Sequence, residues 1–144
     1  MKELSVPQSK RKVSETEFLR VARDIECLLI TITINKPKRY YLFLSKVEDM
    51  SMELYNLVKA GNSVYPECES DVLLRRQYFK RALSMCQSLS SQVDVICEKF
   101  GTKGLQTSQV QQLSEMIDNE IQLIKGVLRK DKSKYTELDL PKMP

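Results

Sequence analysis

The sequence predicts an all-α fold, an antiparallel up-down-up-down four-helix bundle, on three observations. Asp71 to Phe100 holds no Gly and no Pro. Its apolar positions Leu74, Tyr78, Ala82, Met85, Leu89, Val93, Ile96 and Phe100 recur at steps of three and four, which keeps one stripe on one helix face for about eight turns. Three further segments, each roughly twenty to thirty residues long, carry the same period. The breaks between the four segments are short, and short connections make successive helices antiparallel neighbours. A stripe as long as the central one needs partner helices to cover it.

The first helix is expected to start at Ser14, because Ser14 and Glu17 have the spacing of a capping box, in which hydroxyl and carboxylate satisfy each other's end amides. Phe18, Ala22, Ile25, Leu29 and Ile32 form its seam. Residues 28–34, LLITITI, alternate in the manner of a β-strand, yet no other segment offers a strand partner, so the run is read as helix. Pro37 separates helices one and two, since the residue before a proline avoids the α region and proline suits a first turn. The second helix runs from about Lys38 to Ala60 with Phe43, Val47, Met50, Leu54 and Leu57 as its seam, and Gly61-Asn62 is expected to stop it in a left-handed conformation. Residues 63–70 connect it to the central helix, and Gly101 to Gly104 closes that helix. The fourth helix begins at Thr107 or Ser108, with Val110, Leu113, Ile117, Ile121, Ile124 and Leu128 as its seam and Gly126 inside it at a cost of about 1 kcal/mol relative to Ala. Residues 1–12 read as a flexible basic arm, 13–135 as the bundle and 136–144 as a disordered tail.

A chain of 144 residues is one domain by length and is large enough to bury a core without metals or disulfides. Cys27, Cys68, Cys86 and Cys97 include no C-x-x-C pair and read as buried thiols of a reducing cytoplasm. The sequence contains no histidine, which excludes Ser-His and Cys-His nucleophile pairs and histidine general bases. It shows no export leader and no run of eighteen apolar residues, so the expectation is a cytoplasmic protein with no membrane span. Bundles that house two metal ions use E-x-x-H pairs; none is present, and the Asp and Glu residues avoid the seam positions as traced. No phosphate-cradling or nucleophile-elbow glycine motif appears. Neither a catalytic site, a cofactor nor a metal is expected.

Charge supplies the functional signal. The net charge of +4 is modest, but up-down threading brings the start of helix one, the end of helix two, the start of helix three and the end of helix four together. Lys10, Arg11, Lys12, Arg75, Arg76, Lys80, Arg81, Arg129, Lys130, Lys132 and Lys134 then share one end of the bundle, eleven of the twenty-three cations. Such an end can hold phosphates. The alternative is that the helix-four cations complement a helix dipole while Arg75 and Arg76 pair with Glu67, Glu69 and Asp71. On the wheel, Arg75 and Arg81 border the central stripe, whereas Arg76 and Lys80 point away from it. The six tyrosines read as packing residues before base-stacking ones. A second apolar stripe, Phe79, Leu83 and Cys86 with Met116, Leu123 and Val127 and with Val21 and Leu28, suggests homo-oligomerisation.

Several short patterns in fixed order carry a family resemblance over residues 16–135: Lys36-Pro37-Lys38-Arg39-Tyr40, Leu44, Val47, Leu54-Tyr55, Ala60-Gly61-Asn62-Ser63-Val64-Tyr65, Arg75-Arg76, Ala82, Cys86, Ile124-Lys125, Asp131 and Lys134-Tyr135. In these the chain resembles the small bacterial four-helix bundle family of the 23S rRNA intervening-sequence proteins and Avd, the accessory protein of diversity-generating retroelements. Many relatives carry a Trp in helix four where this chain has Gly126-Val127-Leu128, and the A-N pair after helix two is split here by Gly61. The resemblance implies a non-enzymatic up-down bundle that, in the Avd branch, assembles as a pentamer with a positive surface and associates with a reverse transcriptase and its template RNA. The alternative it leaves open is a protein-directed adaptor or structural bundle without nucleic-acid binding.

Overall fold

The computed structural model describes residues 13–101 and 106–136. The expectations placed on the 1–12 arm, on Gly104 and on residues 137–144 lie outside the described residues. Four helices, α1 (Val13–Ile34), α2 (Lys38–Ser63), α3 (Glu69–Phe100) and α4 (Thr107–Thr136), form an all-α bundle. Each helix packs against two neighbours, in the ring order α1, α2, α3, α4. Named contacts fix the directions. The start of α3 meets the ends of α2 and α4, where Arg75 reaches Gly61 and Asp131. Tyr40 at the start of α2 packs edge-to-face on Phe100 at the end of α3, centroids 5.0 Å apart, and Phe18 near the start of α1 packs on Phe79 near the start of α3 at 5.4 Å. Neighbouring helices therefore run antiparallel.

The LLITITI run is helical, and its polar atoms show why. Thr31 and Thr33 donate to the carbonyls of Cys27 and Leu29, and the Asn35 amide donates to the Thr31 carbonyl. Each threonine hydroxyl is satisfied on its own helix, so Thr33 lies buried beside Leu29 and Ile32 at little cost.

The interior repeats at alternating steps of three and four on every helix. α1 buries Phe18, Ala22, Ile25, Leu29 and Ile32 as the sequence predicts. On α2 the seam is Tyr40, Leu44, Val47, Ser51, Leu54, Val58 and Gly61, so Phe43 lies outside it, exposed. On α3 the seam is Val72, Arg75, Phe79, Ala82, Cys86, Leu89, Val93 and Ile96. The carboxy-terminal half matches the expected stripe, but toward the amino terminus the core turns to Phe79 and leaves Leu74 exposed. α4 buries Leu113, Ile117, Glu120, Ile124, Val127 and Asp131.

Three expectations are corrected by this packing. Gly61 is not a left-handed stop: α2 continues to Ser63, and among the described residues the positive-φ glycine is Gly101. Gly61 is buried because a Cβ there would stand 2.9 Å from Cε2 of Phe79, so the missing side chain is what admits the ring. The second apolar stripe is not an outer face, since Val21, Phe79, Cys86 and Val127 are core and Leu28, Leu83, Met116 and Leu123 pack against it. The seam is also not free of acids, because Glu120 and Asp131 occupy it. Cys86 is buried as expected, whereas Cys27 is exposed. Among the described residues no helix is long and apolar enough to cross a membrane.

Candidate nucleic-acid interface

Among the described candidate cations, Arg75 is the one drawn into a seam. It occupies a seam position, and its Nε donates to Oδ2 of Asp131 at 2.5 Å. Its Nη1 donates to the Gly61 carbonyl at 3.1 Å, in the last turn of α2, an oxygen that also accepts from the Val64 amide at 3.3 Å. Its guanidinium also lies over the Phe79 ring at 5.1 Å. One planar fork thus joins α2, α3 and α4, a geometry a lysine could not reproduce. Asp131 is not among the acids expected from proximity in sequence, Glu67, Glu69 and Asp71; the Asp71 carboxylate accepts from the Glu67 backbone amide.

The other described cations remain on the surface. Lys80 and Arg81 are exposed on the early turns of α3, Arg129, Lys130, Lys132 and Lys134 are exposed on the last turns of α4, and Arg76 is half-buried. Lys10, Arg11 and Lys12 lie outside the described residues.

Between the α2–α3 connection, the start of α1 and the end of α4 lies an open cavity of about 360 Å³. Phe18, Leu123, Gly126 and Val127 form its apolar wall, and the Arg75–Asp131 pair is part of its lining. Lys130 and Lys134, one turn apart on α4, border it together with Tyr65 and Tyr135. Tyr65 is 80% exposed, while Lys134 Nζ sits 5.3 Å from the Tyr135 centroid. The structure therefore brings three of the predicted cations, Arg75, Lys130 and Lys134, to one cavity. Tyrosine placement divides: Tyr40 is core and Tyr55 and Tyr78 pack against it, but Tyr41 and Tyr65 face solvent.

A second titratable group lies in the middle of the bundle. Glu120 is fully buried, and neither carboxylate oxygen has a hydrogen-bond partner in the protein. Burial first, and the nearby Glu17 second, push its carboxyl up to about 9. Across from it on α3, Cys86 is also raised, by burial and then by Glu120. Among the described residues no group of three His, Cys, Asp or Glu side chains could hold a metal ion.

The opposite end of the bundle exposes large apolar side chains among its charged ones. Ile34, Tyr41, Leu42, Phe43 and Val95 are exposed, and a groove of about 430 Å³ runs between α2 and α3 over Phe43, Val95 and Phe100, bordered by Lys46 and Lys99. No family model, curated protein or solved structure matches this chain in comparison.

Proposed function

We propose that this bundle is a non-enzymatic accessory protein that binds structured RNA, or an RNA-bound reverse transcriptase, through its basic end. The observation that carries the reading is the exposure of Lys80, Arg81, Arg129, Lys130, Lys132 and Lys134 on the start of α3 and the end of α4, which antiparallel threading makes neighbours. The family resemblance supplies the partner class, and the bundle fold is the one that resemblance implies. Arg75 serves this surface indirectly, by holding the ends of α2 and α4 against α3. The test is RNA affinity at rising salt, with Lys80→Glu and Arg129→Glu as exposed charge reversals. Affinity that falls with salt and drops again in the double variant supports the reading; no binding at low salt, or affinity indifferent to both, refutes it.

A protein-directed adaptor is the second reading, favoured by the exposed apolar end around Phe43 and Val95. It predicts a partner protein whose binding survives reversal of Lys80 and Arg129 and fails on Phe43→Asp. Assembly into a homo-oligomer, a pentamer by the resemblance, belongs to either reading, and light scattering at micromolar concentration measures it.

A further inference from the structure

We infer that the tip formed by the end of α1 and the start of α2 docks on the surface of an anionic lipid bilayer, with Ile34 and Leu42 entering the acyl boundary and the surrounding cations meeting the headgroups. This surface lies at the end of the bundle opposite the basic end and takes a different class of partner, so it stands independently of the RNA reading.

The exposed apolar side chains sit on a tip rather than on one face. Tyr41, Leu42 and Phe43 follow one another at steps of about 100° around the start of α2, and all three are exposed. Ile34, the last residue of α1, is exposed across the short corner at Asn35-Lys36-Pro37. Leu42 is 64% exposed and Ile34 74%. A folded partner presents one face and would leave part of this ring of side chains in water, whereas a fluid bilayer closes around a tip. The charge around the tip is of one sign. Residues 27–47 contain Lys36, Lys38, Arg39 and Lys46 and no Asp or Glu. None of the ion pairs among the described residues involves these four, and Lys38, Arg39 and Lys46 are exposed. Arg39 leans over the Tyr40 ring at 4.9 Å, a contact that leaves its charge in place. Lys99 adds a further cation beside Phe43, while the acids on the last turns of α3, Asp94 and Glu98, are not among the residues that line the groove there. An anionic leaflet attracts such a cluster, each Lys or Arg near its surface strengthening binding about fivefold. The side-chain types separate lipid from other anionic partners. Ile34 and Leu42 are aliphatic and give a nucleobase no ring to stack on, while Tyr and Lys are residues that place an apolar body below a headgroup and a polar tip beside it. A second copy docking tip to tip would meet its own cations. Contact of this kind needs neither a leader nor a spanning helix.

The chain contains no tryptophan, so Leu42→Trp places a single indole at the tip, where the parent side chain is largely in water. With vesicles of phosphatidylcholine and phosphatidylserine its emission is expected to shift to the blue and to be quenched by brominated acyl chains. In flotation with the same vesicles, Leu42→Asp is expected to lower the partition coefficient about tenfold or more, the scale of one apolar side chain kept out of the acyl boundary. Lys38→Gln with Lys46→Gln is expected to lower it about twenty-five-fold, fivefold for each charge. All three positions are exposed, and circular dichroism checks that the variants fold. Absence of flotation at low salt overturns the inference and leaves the RNA reading standing. Equal flotation with phosphatidylcholine alone, or an indole that stays unshifted while the protein floats, overturns it as well. If Lys80→Glu with Arg129→Glu abolishes flotation and Leu42→Asp does not, the basic end is the lipid contact and the tip is not. An oligomer, seen by light scattering, that Leu42→Asp dissociates makes the tip a contact between copies, and RNA affinity that the same variant abolishes makes it a nucleic-acid contact; either result overturns the lipid site.

Discussion

Replacing Glu120 with Gln isolates the pH dependence that one buried carboxyl imposes on the bundle. In the folded protein Glu120 holds its proton up to about pH 9, against an ordinary value of 4.5 when the chain is unfolded. Between those values the unfolded chain has released the proton and the folded one has not, so unfolding releases a proton and stability falls as pH rises. The contribution is fully present below about pH 4.5 and is lost progressively toward pH 9. Each pH unit inside the window is worth about 1.4 kcal/mol, so from pH 5 to pH 8 the loss reaches at most about 4 kcal/mol, a large share of a typical domain's stability. Glu120→Gln keeps the shape and cannot ionise, so it removes this slope while the other titrating groups stay common to both proteins. The assay is urea unfolding followed by far-ultraviolet circular dichroism at pH 5, 6, 7 and 8. The variant is expected to gain on the parent steadily across the series. A difference in unfolding free energy that stays constant within about 0.5 kcal/mol would refute the assignment of Glu120 as a buried neutral carboxyl.

Four further outcomes follow from the packing. Arg75→Ala strands Asp131 in a largely buried site and should cost about 3 kcal/mol in urea unfolding, whereas Arg75→Leu combined with Asp131→Leu should recover most of that loss. Gly61→Ala drives a methyl into the Phe79 ring and should destabilise by about 1–2 kcal/mol, a loss that Phe79→Leu in the same chain should shrink. Gly126→Ala, with nothing near its new methyl, should raise stability by up to about 1 kcal/mol, read as a higher urea midpoint. Thiol-reactive reagent should label Cys27 in the native protein and reach Cys86 only on unfolding, since Cys86 is buried and its thiol is raised; rapid native labelling of Cys86 in mass spectra would contradict the packing.

The architecture is legible from periodicity because apolar steps of three and four survive small errors of phase. What does not survive is the phase itself at the ends of the seams. On α3 two stripes, one through Leu74 and Tyr78 and one through Arg75 and Phe79, converge on Ala82, Leu89, Val93 and Ile96, and hydrophobicity alone prefers the first. The second is the one the fold uses, because it puts Phe79 against Phe18 and lets Arg75 reach Asp131. A pairing over that sequence distance leaves no local spacing signal, but it does leave a rule: a cation continuing a seam calls for an acid continuing a facing one. Asp131 meets it, seven residues beyond Ile124, the same register that places Glu120 in the core without any hydrogen-bond partner. Gly61 misleads for a related reason, since a glycine near a helix end signals a stop and also signals close approach, and only the Phe79 ring decides between them. The site is less legible than the fold because its tyrosines are defined by where they end rather than by any pattern: Tyr65 belongs to a connection and Tyr135 to a last turn. Arg75, which the helical wheel places only at the border of the stripe, holds the ends of α2 and α4 against the start of α3 through Gly61 and Asp131, and the cavity those two tyrosines border lies at that junction.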